Sequence, residues 1–313
     1  MSRNIEYAEA RSEKARSAAT NDSAEAELHA GSRGPASGAS VAPEPAQPLR
    51  LFSYGGGVQS TAALVLAAHG KLDFRVFLFA NVGDDSEHPA TIEYVKSVAV
   101  PFAAEHGIEL SEVTRGGVNP TLMTKMKRLE SSLPIPVRMD QTGKPGRRSC
   151  TQDYKIMPLA REAKRRGATP ESPAQVGLGI SFDELERMRS AVDPRIPWQR
   201  RHYPLVDMGV TRAECIQIIA RAGIPVPPRS ACYFCPFHSG EEWRRLQRET
   251  PQLFERACDL EELLIERRTR LGRGAVYFTN QGAREGATLR VLHAHEQLTF
   301  ASDATCDGGH CFT

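Results

Sequence analysis

"LFSYGGGVQSTAALVLAAHG", residues 51–70, passes from an apolar run through three consecutive glycines into an alanine- and leucine-rich segment. The first run has the composition of a short buried strand, and "STAALVLAAHG" that of a helix ended by Gly70. Gly55, Gly56 and Gly57 carry no side chain, so a ligand can approach the main chain closely. A strand-to-helix turn gathers unpaired amide N–H groups at the positive end of the helix, which suits phosphate. Ser60 and Thr61 offer hydroxyls from the first helical turn. The absence of Gly-Lys-Ser/Thr rules out a Walker loop, and the glycine spacing is not the dinucleotide fingerprint. A plain tight turn without a ligand is the alternative reading of a bare glycine triplet.

Outward from this stretch, strands and helices alternate. "LRLFSY" is followed by a second apolar strand in "FRVFLFANVG", a helix over about 89–106, a third strand in "IELSEVT" and a fourth in "AQVGLGIS"; "HYPLVDM" is expected to end a fifth. This order predicts an α/β fold with a doubly wound, Rossmann-like parallel sheet, followed by a mainly helical C-terminal part. Helices are expected over about 211–222, 240–249 and 251–271, then a strand-like "AVYFT" and a last helix near 287–298. Between the third and fourth strands lies an insertion, about 115–149, that carries Lys125, Lys127, Arg128, Arg138, Lys144, Arg147 and Arg148 against Glu130 and Asp140. It reads either as a basic lid over an anionic substrate or as a solvated excursion. Residues 1–48, rich in Ala, Ser, Glu and Pro, read as a disordered leader. The expected organisation is an α/β domain over 49–210, a helical region over 211–300 and a flexible tail over 301–313.

The 313 residues are 40% hydrophobic and carry a formal charge of only +2, so whole-chain charge does not announce a nucleic-acid binder. No run of about 18 apolar residues is present, so no membrane span is expected. The N-terminus has no apolar signal core, which predicts a cytoplasmic protein. Seven cysteines scattered along a long chain fit metal or catalytic use better than a disulfide framework.

Cys232 and Cys235 have the C-x-x-C spacing, which alone suits zinc, an iron–sulfur cluster or a redox dithiol. Cys150 supplies a third thiol upstream. Cys215 and Cys258 fall in amphipathic segments and read as core; His238, beside the C-x-x-C turn, reads as a packing residue more readily than as a ligand. His293 and His295 are two apart on an expected helix and face different ways. Cys306 and Cys311 lie in the tail.

Five ordered stretches, spanning about residues 49–250, resemble the PP-loop adenine nucleotide alpha-hydrolase-like superfamily, in its phosphoadenylyl-sulfate reductase and DNA phosphorothioation sulfurtransferase branch. "GGGVQS" is similar to the Ser-Gly-Gly-x-Asp-Ser loop, with Gly55 for Ser and Gln59 for Asp; the Gln is found in the reductase branch. "NVGDDSEHPATIEYV" resembles the Asp-Thr-Gly and Pro-Glu-Thr stretch, with Asn81 for Asp and with Gly83, Pro89 and Thr91 kept. "RRSCTQDYKIMPL" is similar to a sulfur-handling Arg-x-Cys-Thr…Lys…Pro segment through Arg148, Cys150, Thr151, Lys155 and Pro158. "GLGISFDELERMR" keeps Asp183, Glu184 and Arg187 in frame, with Leu185 for Ser, and "SACYFCPFHSGEEW" resembles a Cys-x-x-Cys-Pro-Phe…Trp segment.

The resemblance implies a nucleotide, ATP or an adenylyl sulfate, with its phosphates on the glycine loop. Ser53, Gly55, Gly56, Gly57, Gln59, Ser60, Thr61 and Asn81 would form that site, with Asp84 or Asp183 holding Mg²⁺. Lys155 and Arg148 would neutralise phosphate charge. A single Cys, where cluster-bearing reductases have a Cys pair, leaves Cys150, Cys232 and Cys235 as three protein ligands, suited to a [4Fe-4S] cluster with one open iron more than to zinc. The activity implied is an ATP-dependent, pyrophosphate-releasing sulfur transfer to a nucleic acid or small molecule. The alternatives are a sulfonucleotide reductase with Cys311 as tail nucleophile, and a non-catalytic nucleotide-binding module. The implied partners are a sulfur donor of cysteine desulfurase or thioredoxin type, and a nucleic-acid acceptor tracked by the basic insertion and "PRIPWQRRHYPL", where Trp198 would stack on a base. A small phosphorylated metabolite is the other acceptor class.

Overall fold

A computed structural model describes residues 48–128 and 132–294. The expected leader, apart from Pro48, and the tail with Cys306 and Cys311 lie outside the described residues, as does His295.

The elements run β1 (Arg50–Tyr54), α1 (Val58–Ala68), β2 (Val76–Asn81), α2 (Pro89–Tyr94), α3 (Val100–Glu105), β3 (Glu109–Thr114), α4 (Leu122–Lys127), β4 (Arg138–Met139), α5 (Ser149–Thr151), α6 (Met157–Arg165), β5 (Ala174–Leu178), a 3₁₀ turn (Phe182–Arg187), β6 (Gln199–His202), α7 (Pro204–Asp207), α8 (Arg212–Arg221), α9 (Gly240–Glu249), α10 (Pro251–Arg270), β7 (Val276–Tyr277), α11 (Asn280–Glu285) and α12 (Leu289–Ala294). Five strands form a parallel sheet in the order β3-β2-β1-β5-β6. The order reverses between β1 and β5, and in such sheets the crevice beyond the carboxyl ends of those two strands is where ligands bind. The α/β, Rossmann-like sheet read from the sequence is the one observed.

Side chains alternate across the sheet. Phe52, Tyr54, Phe77 and Phe79 join α1, α2, α3 and α8 in one core, whereas Leu51, Leu78, Ala80 and Val176 meet Leu159 and Ala163 of α6 on the other face. Two π turns interrupt the helices, Val95–Ala99 before Pro101 and Gln152–Ile156 before Pro158. Each ends two residues ahead of a proline, whose missing N–H breaks the regular ladder.

Two expectations are corrected. The fifth strand is Gln199–His202, and "PLVD" is the short helix α7, begun by Pro204 at a position where a missing N–H costs nothing. The 115–149 insertion is no loose excursion: Leu122, Met123, Met126, Ile135 and Val137 enter a second core with Trp243, Phe254 and Phe278, and β4 pairs antiparallel with β7. Its spaced apolar residues are hidden among lysines and arginines in the sequence.

In this second core Glu261 is fully buried and accepts the backbone N–H groups of Phe278 and Leu289, tying β7 and the start of α12 to α10. Burial lifts its carboxyl to about 7. Because the folded-state value lies above the unfolded one, the linked stability is complete below the ordinary carboxyl value of 4.5 and is lost as pH rises through about 7. We expect Glu261→Gln to remove that slope and to cost about 1–3 kcal/mol by turning an amide NH₂ toward a backbone N–H. Denaturant midpoints measured at about pH 5 and pH 8 check both effects.

Candidate functional site

The C-x-x-C turn is stitched to the loop after β2. Glu87 bridges Cys232 in antiparallel fashion, His88 N–H donates to Ala231 O at 3.1 Å and Tyr233 N–H to Ser86 O at 3.3 Å. The turn itself closes by Cys235 N–H to Cys232 O at 3.1 Å and His238 N–H to Cys235 O at 3.0 Å. Cys150 arrives from the insertion, its N–H held by Pro134 O at 2.8 Å, and Lys155 follows on the π turn.

These pieces meet in one cavity of about 190 Å³. Its wall includes Cys150, Cys232, Cys235, Lys155 and Arg148, together with Arg187, Arg229, Phe237 and His238 and the apolar Val82, Leu122, Pro136 and Ala231. Four cations and no carboxylate stand among those lining residues. Burial pushes the Cys232 thiol well up, with Glu87 adding to the effect and Lys155 opposing it. Burial alone would lower the Lys155 ammonium, but Glu87 and the three cysteines outweigh it and hold it above its ordinary value. Glu87 is 1% exposed, burial raises its carboxyl, and its Oε1 has no hydrogen-bond partner.

Among the described residues, no group of three or more His, Cys, Asp or Glu is arranged to hold a metal ion. The three thiols wall a chamber and do not close on one point. His238 is a packing residue here: Nε2–H donates to Cys232 O at 2.9 Å, the ring meets Trp243 edge-on, and burial lowers its pKa to about 4. Cys215 and Cys258 are core thiols, both pushed up to about 12 by burial, and His293 is buried against Phe254.

The glycine loop lies at the β1–β5 reversal. Gly56 has φ +73° and a Cβ there would meet Thr91 Cγ2 at 2.9 Å, so its glycine is required by the fold. Built Cβ atoms at Gly55 and Gly57 meet only Ser60 Oγ at 3.9 Å and Ser230 Cβ at 3.8 Å, leaving open main chain. Gly179 lets the loop after β5 lie against the start of α1, where a Cβ would stand 3.0 Å from Ser60 N. Ser53 is half-buried near the end of β1, in register with Leu78 and Leu178. Ser60 Oγ receives Gly57 N–H at 3.2 Å and donates to Gly57 O at 3.0 Å.

Other expected ligands are engaged inside the protein. The Thr61 hydroxyl is buried against Tyr54 Oη at 2.9 Å. Asn81 donates to Asp84 at 2.7 Å, and Asp84 also pairs with Lys96 at 3.1 Å; the Asn81 hydrogen bond lowers the Asp84 carboxyl. Asp183 accepts the Arg212 N–H at 2.9 Å at the start of α8. None of the glycines is among the cavity's lining residues, but Ser230 adjoins Arg229 of its wall, and Val82 of the wall follows Asn81. Trp198 donates to Ala160 O at 2.8 Å beside the sheet core, while Arg195 and Arg201 pair with Asp193. Trp198 is half-buried, so this stretch has internal partners and keeps part of the ring exposed.

Glu87, Arg187 and Arg229 join the cavity region without having been picked out as site residues. Arg187 lay in a recognised stretch; the other two carried no local signal, since only tertiary pairing places them.

The fold and site define an α/β protein with a glycine-rich loop at its sheet reversal and a thiol-lined cavity beside it. No protein-family model matches the chain. No curated protein matches it. Among solved structures, the U34-tRNA thiolase NcsA from Methanococcus maripaludis with its [4Fe-4S] cluster is similar, at 13% identity over 83% of this chain and 84% of that chain, with a TM-score of 0.38. At that level the likeness does not carry the thiolase's chemistry to this chain.

Substitutions separate the roles of the glycines. Gly56→Ala is expected to cost about 1–2 kcal/mol or more, from a left-handed backbone and the Thr91 contact. Gly55→Ala should change stability by less than about 0.5 kcal/mol. Thermal unfolding of the two variants checks the difference.

Proposed function

We propose that the chain is a PP-loop enzyme of the phosphoadenylyl-sulfate reductase-like branch, an ATP-dependent iron–sulfur sulfurtransferase. The observation that carries this reading is the meeting of Cys150, Cys232 and Cys235 with Lys155 in one cavity, next to a glycine loop at the sheet reversal. Three thiols spread over a chamber wall suit separate irons of a cluster better than one tetrahedral zinc, whose sulfurs would each lie about 2.3 Å from a single ion. The donor set therefore fits a [4Fe-4S] cluster held by those three cysteines. Such a cluster, when bound, supplies an iron with an open position able to carry sulfur.

The chain's own residues would do the rest. The unhindered main chain at Gly55 and Gly57 would receive the ATP phosphates at the positive end of α1, Gly57 N–H exchanging Ser60 Oγ for a phosphate oxygen. A substrate oxygen would form a bond to the α-phosphorus as the α–β P–O bond breaks, with pyrophosphate leaving on the electron pair. Lys155 and Arg148 would balance the charge gathered on the phosphates and thiolates. A sulfur nucleophile from a donor protein would then displace AMP from the activated substrate. Mg²⁺ would arrive on the polyphosphate, with Asp84 or Asp183 as its protein ligand; both are exposed, Asp84 meeting Asn81 and Lys96 and Asp183 accepting one backbone N–H. The four cations of the wall favour an anionic acceptor such as a nucleic acid.

Full-length protein reconstituted without oxygen is expected to be brown and to hold about four irons per chain. Cys150→Ser, Cys232→Ser and Cys235→Ser should each lose most of that iron, and the loaded protein should release pyrophosphate from ATP in the presence of acceptor. A colourless protein, or full iron content in the Cys232 variant, contradicts the assignment.

Because Gly55→Ala is expected to fold as the parent does, it isolates binding at the loop. It should weaken ATP binding by about tenfold or more, as an added methyl pushes the phosphates off the amides. Titration calorimetry with ATP measures this, and unchanged affinity would place the phosphates elsewhere.

A further inference from the structure

The one departure in the glycine loop with a side chain large enough to act at a distance is Gln59. It is buried at 8% exposure, and both ends of its amide are used. Its Oε1 accepts from Arg212 at 2.9 Å, while Nε2 donates to Glu184 Oε2 at 2.9 Å and reaches Ser181 Oγ at 3.5 Å. The same Glu184 oxygen accepts from Arg187 at 2.5 Å, and Arg187 lines the thiol cavity. The amide orientation is settled by these partners, because the reverse would set NH₂ against a guanidinium and oxygen against a carboxylate.

An aspartate at this position could not do the same. It has no donor for Glu184, is one methylene shorter, and would bring a second negative charge beside that carboxylate. A residue that accepts at one end and donates at the other is what a guanidinium on one side and a carboxylate on the other require. Gln for Asp is thus matched to the partners that the loop after β5 presents.

We propose that Gln59 is a positioning residue, and that the chain Arg212–Gln59–Glu184–Arg187 couples occupancy of the glycine loop to the placement of Arg187 in the thiol cavity. This rests on the nucleotide being held at that loop. ATP seated on the amides next to Gln59 shifts the start of α1, and the hydrogen-bonded chain carries the shift to the guanidinium beside the cysteines.

The test is a swap. In Gln59→Glu two carboxylates face each other; adding Glu184→Gln removes one of the charges and turns an amide NH₂ toward position 59, in place of the oxygen that also serves Arg187. Melting temperatures and iodoacetamide labelling of Cys150, Cys232 and Cys235, with and without ATP, are read on the full-length chain prepared without iron. In the parent protein ATP should change the labelling rate about fivefold or more. Gln59→Glu should lower the melting temperature and abolish the ATP effect, and the double variant should recover the melting temperature but not the ATP effect, because Arg187 has lost its acceptor. A double variant that melts as low as Gln59→Glu overturns the chain of contacts. ATP binding to the parent without any change in thiol labelling overturns the coupling. If ATP does not bind the parent at all, the nucleotide assignment fails and the coupling with it, while the melting temperatures still decide whether Gln59 and Glu184 act as a pair.

Discussion

Lys155 is half-buried on the cavity wall, with three cysteine sulfurs and the buried Glu87 carboxylate around it. A charge taken out of water must be compensated locally, and an ammonium without partners in such a place would be strongly destabilising. Glu87, from the loop after β2, supplies the compensating charge, and the sulfurs around the ammonium come from the end of the insertion and the C-x-x-C turn. That need explains the antiparallel stitch between residues 86–88 and 231–233, which serves no sheet and yet brings Cys232 to Glu87. The insertion is packed into the second core, against which Cys150 and Cys232 both lie.

The sheet supplies the other half of the site. Reversal of strand order between β1 and β5 opens a crevice at their carboxyl ends, and the glycine loop occupies it. Gly56 is fixed by backbone conformation and by Thr91, whereas Gly55 and Gly57 are unhindered, so the triplet divides into a structural residue and two that leave the main chain accessible. The loop and the cavity are not one pocket. They are joined by Ser230 against Gly57 and by side chains that cross from α1 to the 3₁₀ turn.

Much of this was legible in the residues. Apolar runs of strand length separated by helical patterns specify the parallel sheet, because a buried central strand has to be apolar on both faces. The glycine loop and the C-x-x-C turn are local signals and survive as such. The association of Cys150 with that turn was available only through the family resemblance, since spacing says nothing about contact across so long a stretch. Trp198 among arginines reads as a stacking platform, and the hydrogen bond to the Ala160 carbonyl that fixes its indole could not be read from its neighbours. Pro204 reads as easily at the end of a strand as at the first position of a helix. Glu87 could not be found from its neighbours "DDSEHP", because what sets it apart is burial beside a lysine distant in the chain.

The account stands on phosphate and metal sharing one end of the sheet. A crystal structure of anaerobically reconstituted protein with a non-hydrolysable ATP analogue examines both at once. The predicted result is polyphosphate within hydrogen-bond distance of the Gly55–Gly57 amides and iron bonded to the sulfurs of Cys150, Cys232 and Cys235. Polyphosphate bound away from the glycine loop, or iron on the C-x-x-C pair with Cys150 left out, would contradict it.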